Sequence, residues 1–347
     1  MRSGSALTKS TVQSLLNQLD EIEEGAGSGV LRLPASPDEG PGGGRLDVSN
    51  LRKPFWPRLT LTKGDLFRHY VRVAPLILPV LADRPLVMKR YPNGIAGKPF
   101  YQHRAPDAVP PGVRIETVTT GTETRPHLVG GAITTLLYTV QLASISQDPW
   151  FSRVGSEETV DHVAIDLDPP DDLPYARVLD VARWVRDELA SLEAPGFAKT
   201  SGAGGLHVYV PMPRGTSYSA GLLFCQIVAT IVSTRHPKLA TIERSLRARS
   251  GRIYVDYMQN GRGKTLASAY SARASDFAGV STPITWDEVE AGVSPKDFTI
   301  RNFAQRIEAA GDPWAGLRKS MGADLNAVIK YTGHGGTETR RKKSKSP

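Results

Sequence analysis

The sequence has almost no cysteine. Its 347 residues include one, Cys225, so no disulfide can form within the chain. That cysteine lies in the apolar stretch Leu222-Leu223-Phe224-Cys225-Gln226-Ile227-Val228, which reads as a buried structural thiol rather than a nucleophile. No Cys/His grouping has zinc-ligand spacing. Long hydrophobic runs are missing as well. No stretch is long enough to span a bilayer and the N-terminus has no apolar signal core, so no membrane partner is expected and the cytoplasm is the expected location. Acidic residues are outnumbered, 35 Asp and Glu against 43 Lys and Arg, for a formal charge of +8. That balance favours an anionic partner, nucleic acid first. No internal repeat is visible, and the 40% hydrophobic content supports a well-buried core in one large domain or two small ones.

What is present centres on Val163-Ala164-Ile165-Asp166-Leu167-Asp168-Pro169-Pro170. The apolar run reads as a buried strand that the prolines stop. Residues two apart face the same way in a strand, so Asp166 and Asp168 project side by side from its end. Two like charges so close repel unless a cation lies between them, and hard divalent cations prefer carboxylate oxygens. The plainer reading is a strand running into an acidic turn, since Asp171 and Asp172 follow. A third carboxylate, Asp256, lies in the apolar strand Arg252-Ile253-Tyr254-Val255-Asp256-Tyr257. Burying it unpaired would be costly, and a metal shared with the first pair would serve.

Other stretches carry features that fit an anionic ligand. Lys199-Thr200-Ser201-Gly202-Ala203-Gly204-Gly205-Leu206-His207 reads as a strand, a glycine-rich turn whose amides can cradle phosphate, and a second strand with His207 near its start. The spacing is wrong for a dinucleotide fingerprint, and Met258 occupies the glycine position that a Walker loop ending in Gly263-Lys264-Thr265 would need. Thr62 with Asp65 predicts a capped helix start, and Lys63 in its first turn opposes the helix dipole, which suggests a bound anion, the plainer reading being an ordinary solvated lysine. Phe100 and Tyr101 stand beside His103 and Arg104, a mixture suited to base stacking, although paired aromatics also build cores. Helices are expected over 10–24, 133–142, 175–192, 219–236 and 298–310, and a hairpin over 115–128. Strands and helices mix without a βαβ series, which predicts an α+β fold.

Taken together, Asp166-Leu167-Asp168-Pro169, Lys199 through Tyr209, Asp256-Tyr257-Met258-Gln259-Asn260, Gly263-Lys264-Thr265 and Tyr270-Ser271-Ala272-Arg273-Ala274 resemble the polymerase domain of bacterial ligase D. That domain is a branch of the archaeo-eukaryotic primase superfamily, and the resemblance covers about Leu46 to Leu317. It implies a primase-like catalytic core with antiparallel and mixed sheets flanked by helices. It implies that Asp166, Asp168 and Asp256 bind two Mn²⁺ or Mg²⁺ ions and are catalytic. Ser201, His207, Arg249, Lys264 and Arg273 would hold the phosphates of an NTP or dNTP. Asn50, Lys53 and Lys63 would grip a DNA 5′-phosphate across a gap, and Phe100 and Tyr101 would stack on the template.

The expected layout is an N-terminal helix and Gly/Pro-rich linker over 1–45, a catalytic domain over 46–320 and a basic, disordered tail over 321–347. The implied activity is template-dependent filling of short gaps in DNA repair, favouring ribonucleotides. The implied partners are gapped or primer-template DNA and a repair ligase or end-joining proteins, with the chain at the nucleoid. Two residues depart from the family pattern: Asp148 stands where histidine is frequent, and Gly204 where lysine is frequent. These departures keep open a weakened gap-binding module. A primase that starts chains de novo and a metal nuclease are the other readings.

Overall fold

The computed structural model describes residues 7–34, 44–120 and 123–323. The strand His162–Asp168 is third in a six-stranded sheet. The order across that sheet is Ala240–Thr241, Ile253–Asp256, His162–Asp168, Leu206–Pro211, Phe197–Thr200 and Pro283–Ile284. All neighbours are antiparallel except the first pair. Leu206–Pro211 is buried at every residue, as a strand covered on both faces must be. The helices Tyr175–Ser191 and Tyr218–Arg235 pack on each other and on this sheet. Close approach depends on Gly221, where a Cβ would lie 2.6 Å from Val163 Cγ1. The expected α+β class is therefore what is seen.

The N-terminal segment is part of the body. α1 (Lys9–Glu24) buries Leu15 and Leu19 and packs on α2 (Lys63–Leu81). Part of the segment read as a flexible linker is a strand: Gly29–Arg32 pairs with Arg45–Val48 and turns Leu31 inward. The alternation of buried Leu31 and Leu33 with exposed Val30 and Arg32 outweighs the surrounding glycines. Residues 35–43 of that linker, and the basic tail from 324 onward, lie outside the described residues. The helix expected over 298–310 is shorter, Phe303–Ala310, because Phe298 C=O accepts from Val280 N–H at 2.9 Å and Ile300 N–H donates to Ala278 C=O at 3.0 Å, which takes this backbone out of helical bonding. Among the described residues no helix is long and apolar enough to cross a membrane.

The capped start of α2 is as expected. Thr62 Oγ1 accepts from Asp65 N–H and Asp65 Oδ2 accepts from Thr62 N–H at 2.8 Å, a reciprocal capping box.

Candidate metal and nucleotide site

Sheet register builds the acidic centre. Asp166 stands opposite Asp256 on one neighbouring strand and opposite His207 on the other. Asp168, two residues on, shares the face of Asp166. One oxygen from each of the three carboxylates lies within 4.8 Å of the others. Asp166 and Asp256 are buried, while Asp168 at the strand end is more accessible. Burial pushes Asp166 up to about 6, against the pull of Lys199, Arg273 and Arg249. Burial, then Asp166 and Asp256, push Asp168 up to about 7. Burial also raises Asp256, although the Met258 amide donates to its Oδ1 at 2.7 Å. Three hard oxygen donors held together at this cost in repulsion fit a divalent cation.

Sequence reasoning gave no role to two residues that hold this centre. Asn260 clamps the central strand from the neighbouring segment, accepting from Ala164 N–H at 2.8 Å and donating to Ala164 C=O at 2.7 Å. Gln259 donates to Asp256 Oδ2 at 3.0 Å. Both lie in the Asp256–Asn260 motif, so the signal was present without a geometry to read it by.

The glycine turn presses against the end of the central strand. A Cβ at Gly205 would lie 2.6 Å from Leu167 C=O. Gly202 has φ +76°, and a Cβ there would meet Arg273 Cγ at 2.5 Å. The turn is less free to cradle phosphate than its sequence suggests. Ser201 Oγ accepts from the amides of Ala203 and Gly205 at 3.1 and 3.0 Å, so those two donors are occupied. Arg273 donates to Ser201 C=O at 2.9 Å and so stands beside the turn. His207 is buried, with Nε2 3.2 Å from Asp166 Oδ1. Arg249 lies over the Tyr254 ring at 4.1 Å. The structure therefore brings His207, Arg249 and Arg273 to the triad and places Ser201 in the turn that Arg273 holds, whereas Lys264 is exposed on the turn that begins at Gly261.

The two departures also fall here. Asp148 is half-buried, accepts from Ser146 Oγ at 2.7 Å and has Arg273, Lys89 and Lys199 as charged neighbours. Gly204 is open on its side-chain side, with Pro169 Cγ the nearest atom at 4.0 Å.

A second group lies around the start of α2. Asn50, at φ 59°, donates its backbone N–H to Ser28 Oγ. Lys53 Nζ donates to Asn93 Oδ1 at 3.2 Å, and Lys53 C=O accepts from Lys63 N–H at 2.9 Å. Lys63 is only 4% exposed, and its ammonium donates to Ser49 C=O, Gln141 C=O and Gln141 Oε1 at 3.0, 2.9 and 2.8 Å. The cation that opposes the helix dipole is thus met by protein oxygens. Burial first, then Lys53 and Arg90, pull Lys63 down to about 8. Phe100 and Tyr101 are not core. They are 45% and 62% exposed, with Arg90 over the Phe100 ring and Lys89 over the Tyr101 ring at 5.2 and 5.5 Å.

Residues 62–314 match the family described as LigD, primase-polymerase domain. The Bacillus subtilis bifunctional non-homologous end joining protein LigD is 29% identical over 82% of this chain and 46% of its own length. The Mycobacterium tuberculosis multifunctional non-homologous end joining DNA repair protein LigD is 31% identical over 83% of this chain and 38% of its own. The chain thus spans less than half the length of these relatives. Among solved structures, the polymerase domain of Mycobacterium tuberculosis ligase D in complex with DNA is similar at a TM-score of 0.74 and 29% identity, covering 81% of this chain and all of that one. With its acidic centre on the sheet and its match across most of the described residues, the chain belongs to the LigD primase-polymerase domain family of nucleotidyltransferases.

Proposed function

We propose that this chain fills short gaps in DNA, adding nucleotides to a primer 3′-hydroxyl opposite a template, with ribonucleotides preferred. The observation that carries the reading is the Asp166–Asp168–Asp256 cluster, two of its members buried, flanked by the Ser201–His207 turn and Arg273. The cluster would hold two Mn²⁺ or Mg²⁺ ions, which supply activation of the attacking hydroxyl and charge neutralisation of the leaving pyrophosphate. Arg249, Arg273 and Lys264 add positive charge for the triphosphate. Phe100 and Tyr101 present ring faces for the template base, and Asn50, Lys53 and Lys63 supply the anion site for a 5′-phosphate across the gap. The product is a nick, which a repair or end-joining ligase would seal.

The test is primer extension on a one-nucleotide gap with a 5′-phosphate, with Mn²⁺, comparing ribo- and deoxyribonucleotides. Extension that favours ribonucleotides is the expected result. Tight gap binding without extension would replace this reading with the gap-binding module, which Asp148 and Gly204 favour. Chain formation without primer would point to a primase, and shortening of the labelled strand to a nuclease.

Two further outcomes are expected. The double substitution of Phe100 and Tyr101 by alanine weakens gapped-DNA binding about tenfold or more, at about 1–3 kcal/mol per stacked base, with the melting temperature unchanged because both rings are exposed. Fluorescence anisotropy checks it, and unchanged affinity would remove the rings from the template path. Separately, Gly204→Lys and Asp148→Asn each lower the nucleotide KM about fivefold by making the triphosphate pocket more positive. Gly204→Lys meets no steric obstacle. Steady-state kinetics at fixed ionic strength measures both, and a raised KM would show that neither position faces the phosphates.

A further inference from the structure

Lys199 is completely buried, a rare state for lysine, with Asp166 and Asp148 as its acidic neighbours. Its Nζ lies 2.8 Å from His207 Nδ1 and 2.5 Å from Ser281 Oγ. Ser281 Oγ donates in turn to Thr200 C=O at 3.0 Å, so the hydroxyl accepts from the lysine. The backbone register places these groups in a row. Lys199 stands opposite His207, His207 opposite Asp166, and Asp166 opposite Asp256, across four adjacent strands. Cross-strand neighbours share a face at contact distance, so the row runs unbroken from the buried amine to the acidic centre.

We propose that Lys199 is a positioning residue that fixes His207 as the Nε2–H tautomer. An ammonium can only donate, so Lys199 in its charged form meets a lone pair on Nδ1 at 2.8 Å, which leaves the imidazole proton on Nε2. Nε2 is the atom 3.2 Å from Asp166 Oδ1. A proton donor, rather than a lone pair, then faces the carboxylate and the space beside it. With the opposite tautomer, a lone pair would face the oxygens of Asp166 and those of any phosphate held there. Partners that orient a side chain at a metal site have this effect in general. Only the kinetic consequence of the proposal rests on the polymerase reading; the tautomer does not.

The test is nitrogen NMR of protein labelled at histidine, in mildly alkaline buffer, with the His207 signals assigned by their loss in His207→Asn. Wild type is expected to show protonated Nε2 and unprotonated, hydrogen-bonded Nδ1. Lys199→Met, close to lysine in volume, is expected to release the ring to a mixture of tautomers. Ser281→Ala, which removes the anchor of the amine but keeps the amine itself, is expected to give a smaller change in the same direction. Protonated Nδ1 in wild type overturns the proposal without any variant. So does a Lys199→Met or Ser281→Ala protein that folds and keeps the wild-type tautomer in full. In kinetics, Lys199→Met should raise the nucleotide KM about tenfold or more. Its kcat and its affinity for gapped DNA should stay within about twofold of wild type. A fall in melting temperature, DNA affinity and kcat together would show a merely structural lysine. If wild-type protein extends no primer, the polymerase reading falls while the spectra still decide the tautomer.

Discussion

Asp166→Asn abolishes primer extension, with a loss on the order of 10³-fold or more, and leaves gapped-DNA binding unchanged. The loss follows from position. Asp166 lies between Asp256 and His207 in the sheet, so it is the member of the triad that touches both the other carboxylates and the histidine row. Asparagine keeps the shape and removes the charge. DNA affinity is spared because the exposed rings and the Asn50–Lys53 loop are held by other partners, Arg90, Lys89, Ser28 and Asn93. Near wild-type extension by this variant would remove the acidic cluster from catalysis. The same centre has a cost in stability, with a sign that can be checked. Burial pushes Asp166 up to about 6, and burial and repulsion push Asp168 up to about 7, both above the ordinary carboxylate range. A raised carboxylate favours the folded state when protonated. That contribution is complete below the ordinary carboxylate range and is lost as pH rises through about 6 to 7. Metal-free protein should therefore melt at a higher temperature in mildly acidic than in mildly alkaline buffer. Mn²⁺ should raise the alkaline melting temperature most, and Asp168→Asn should raise it without metal. A metal-free melting temperature that climbs through that window would contradict the repulsion described here.

Much of the acidic centre was legible in the sequence because it depends on local rules. The i, i+2 rule placed Asp166 and Asp168 on one face, and the need of a buried carboxylate for a partner drew in Asp256. The capping box at Thr62 and Asp65 was legible for the same reason, as were four of the helices to within a residue or two. What sequence could not supply was register and long-range contact. Lys199 stood in a recognised motif, but its position opposite His207, with Ser281 as second acceptor, exists only once strands distant in sequence pair. Lys63 read as a cation awaiting an anion, because Gln141, which supplies two of its acceptors, lies 78 residues away. The exposure of Phe100 and Tyr101 was equally undecidable, since a three-residue strand carries too little alternation to separate a core pair from a surface pair. The linker reading failed where glycine content was weighed above the short apolar alternation of residues 30–33.

Lys53→Ala erases the preference for a gap carrying a 5′-phosphate, about tenfold in affinity, and leaves the melting temperature unchanged. Lys63→Ala erases the same preference but also destabilises the fold by about 2 kcal/mol. The difference comes from what each ammonium touches. Lys53 is half-buried and holds a single side-chain oxygen, that of Asn93, which solvent can satisfy in its absence. Lys63 satisfies three oxygens inside the protein, and its removal leaves them without a donor. The two lysines are nevertheless electrostatically one site, since Lys53 and Arg90 both depress Lys63. Lys53 and Arg90 crowding the Lys63 cation at the start of α2 favour an anion nearby, and a DNA 5′-phosphate is the anion that a gap supplies. The preference should also weaken as salt rises, because the outer cation is partly open to solvent. Binding to gaps with and without the 5′-phosphate, measured for both variants at two salt concentrations alongside melting curves, separates the roles. If Lys53→Ala keeps the wild-type preference, the phosphate is held elsewhere, and the cation cluster serves only to tie α2 to the Asn50 loop. If both variants lose the preference and only Lys63→Ala melts early, the outer lysine meets the phosphate and the inner one also builds the loop that presents it.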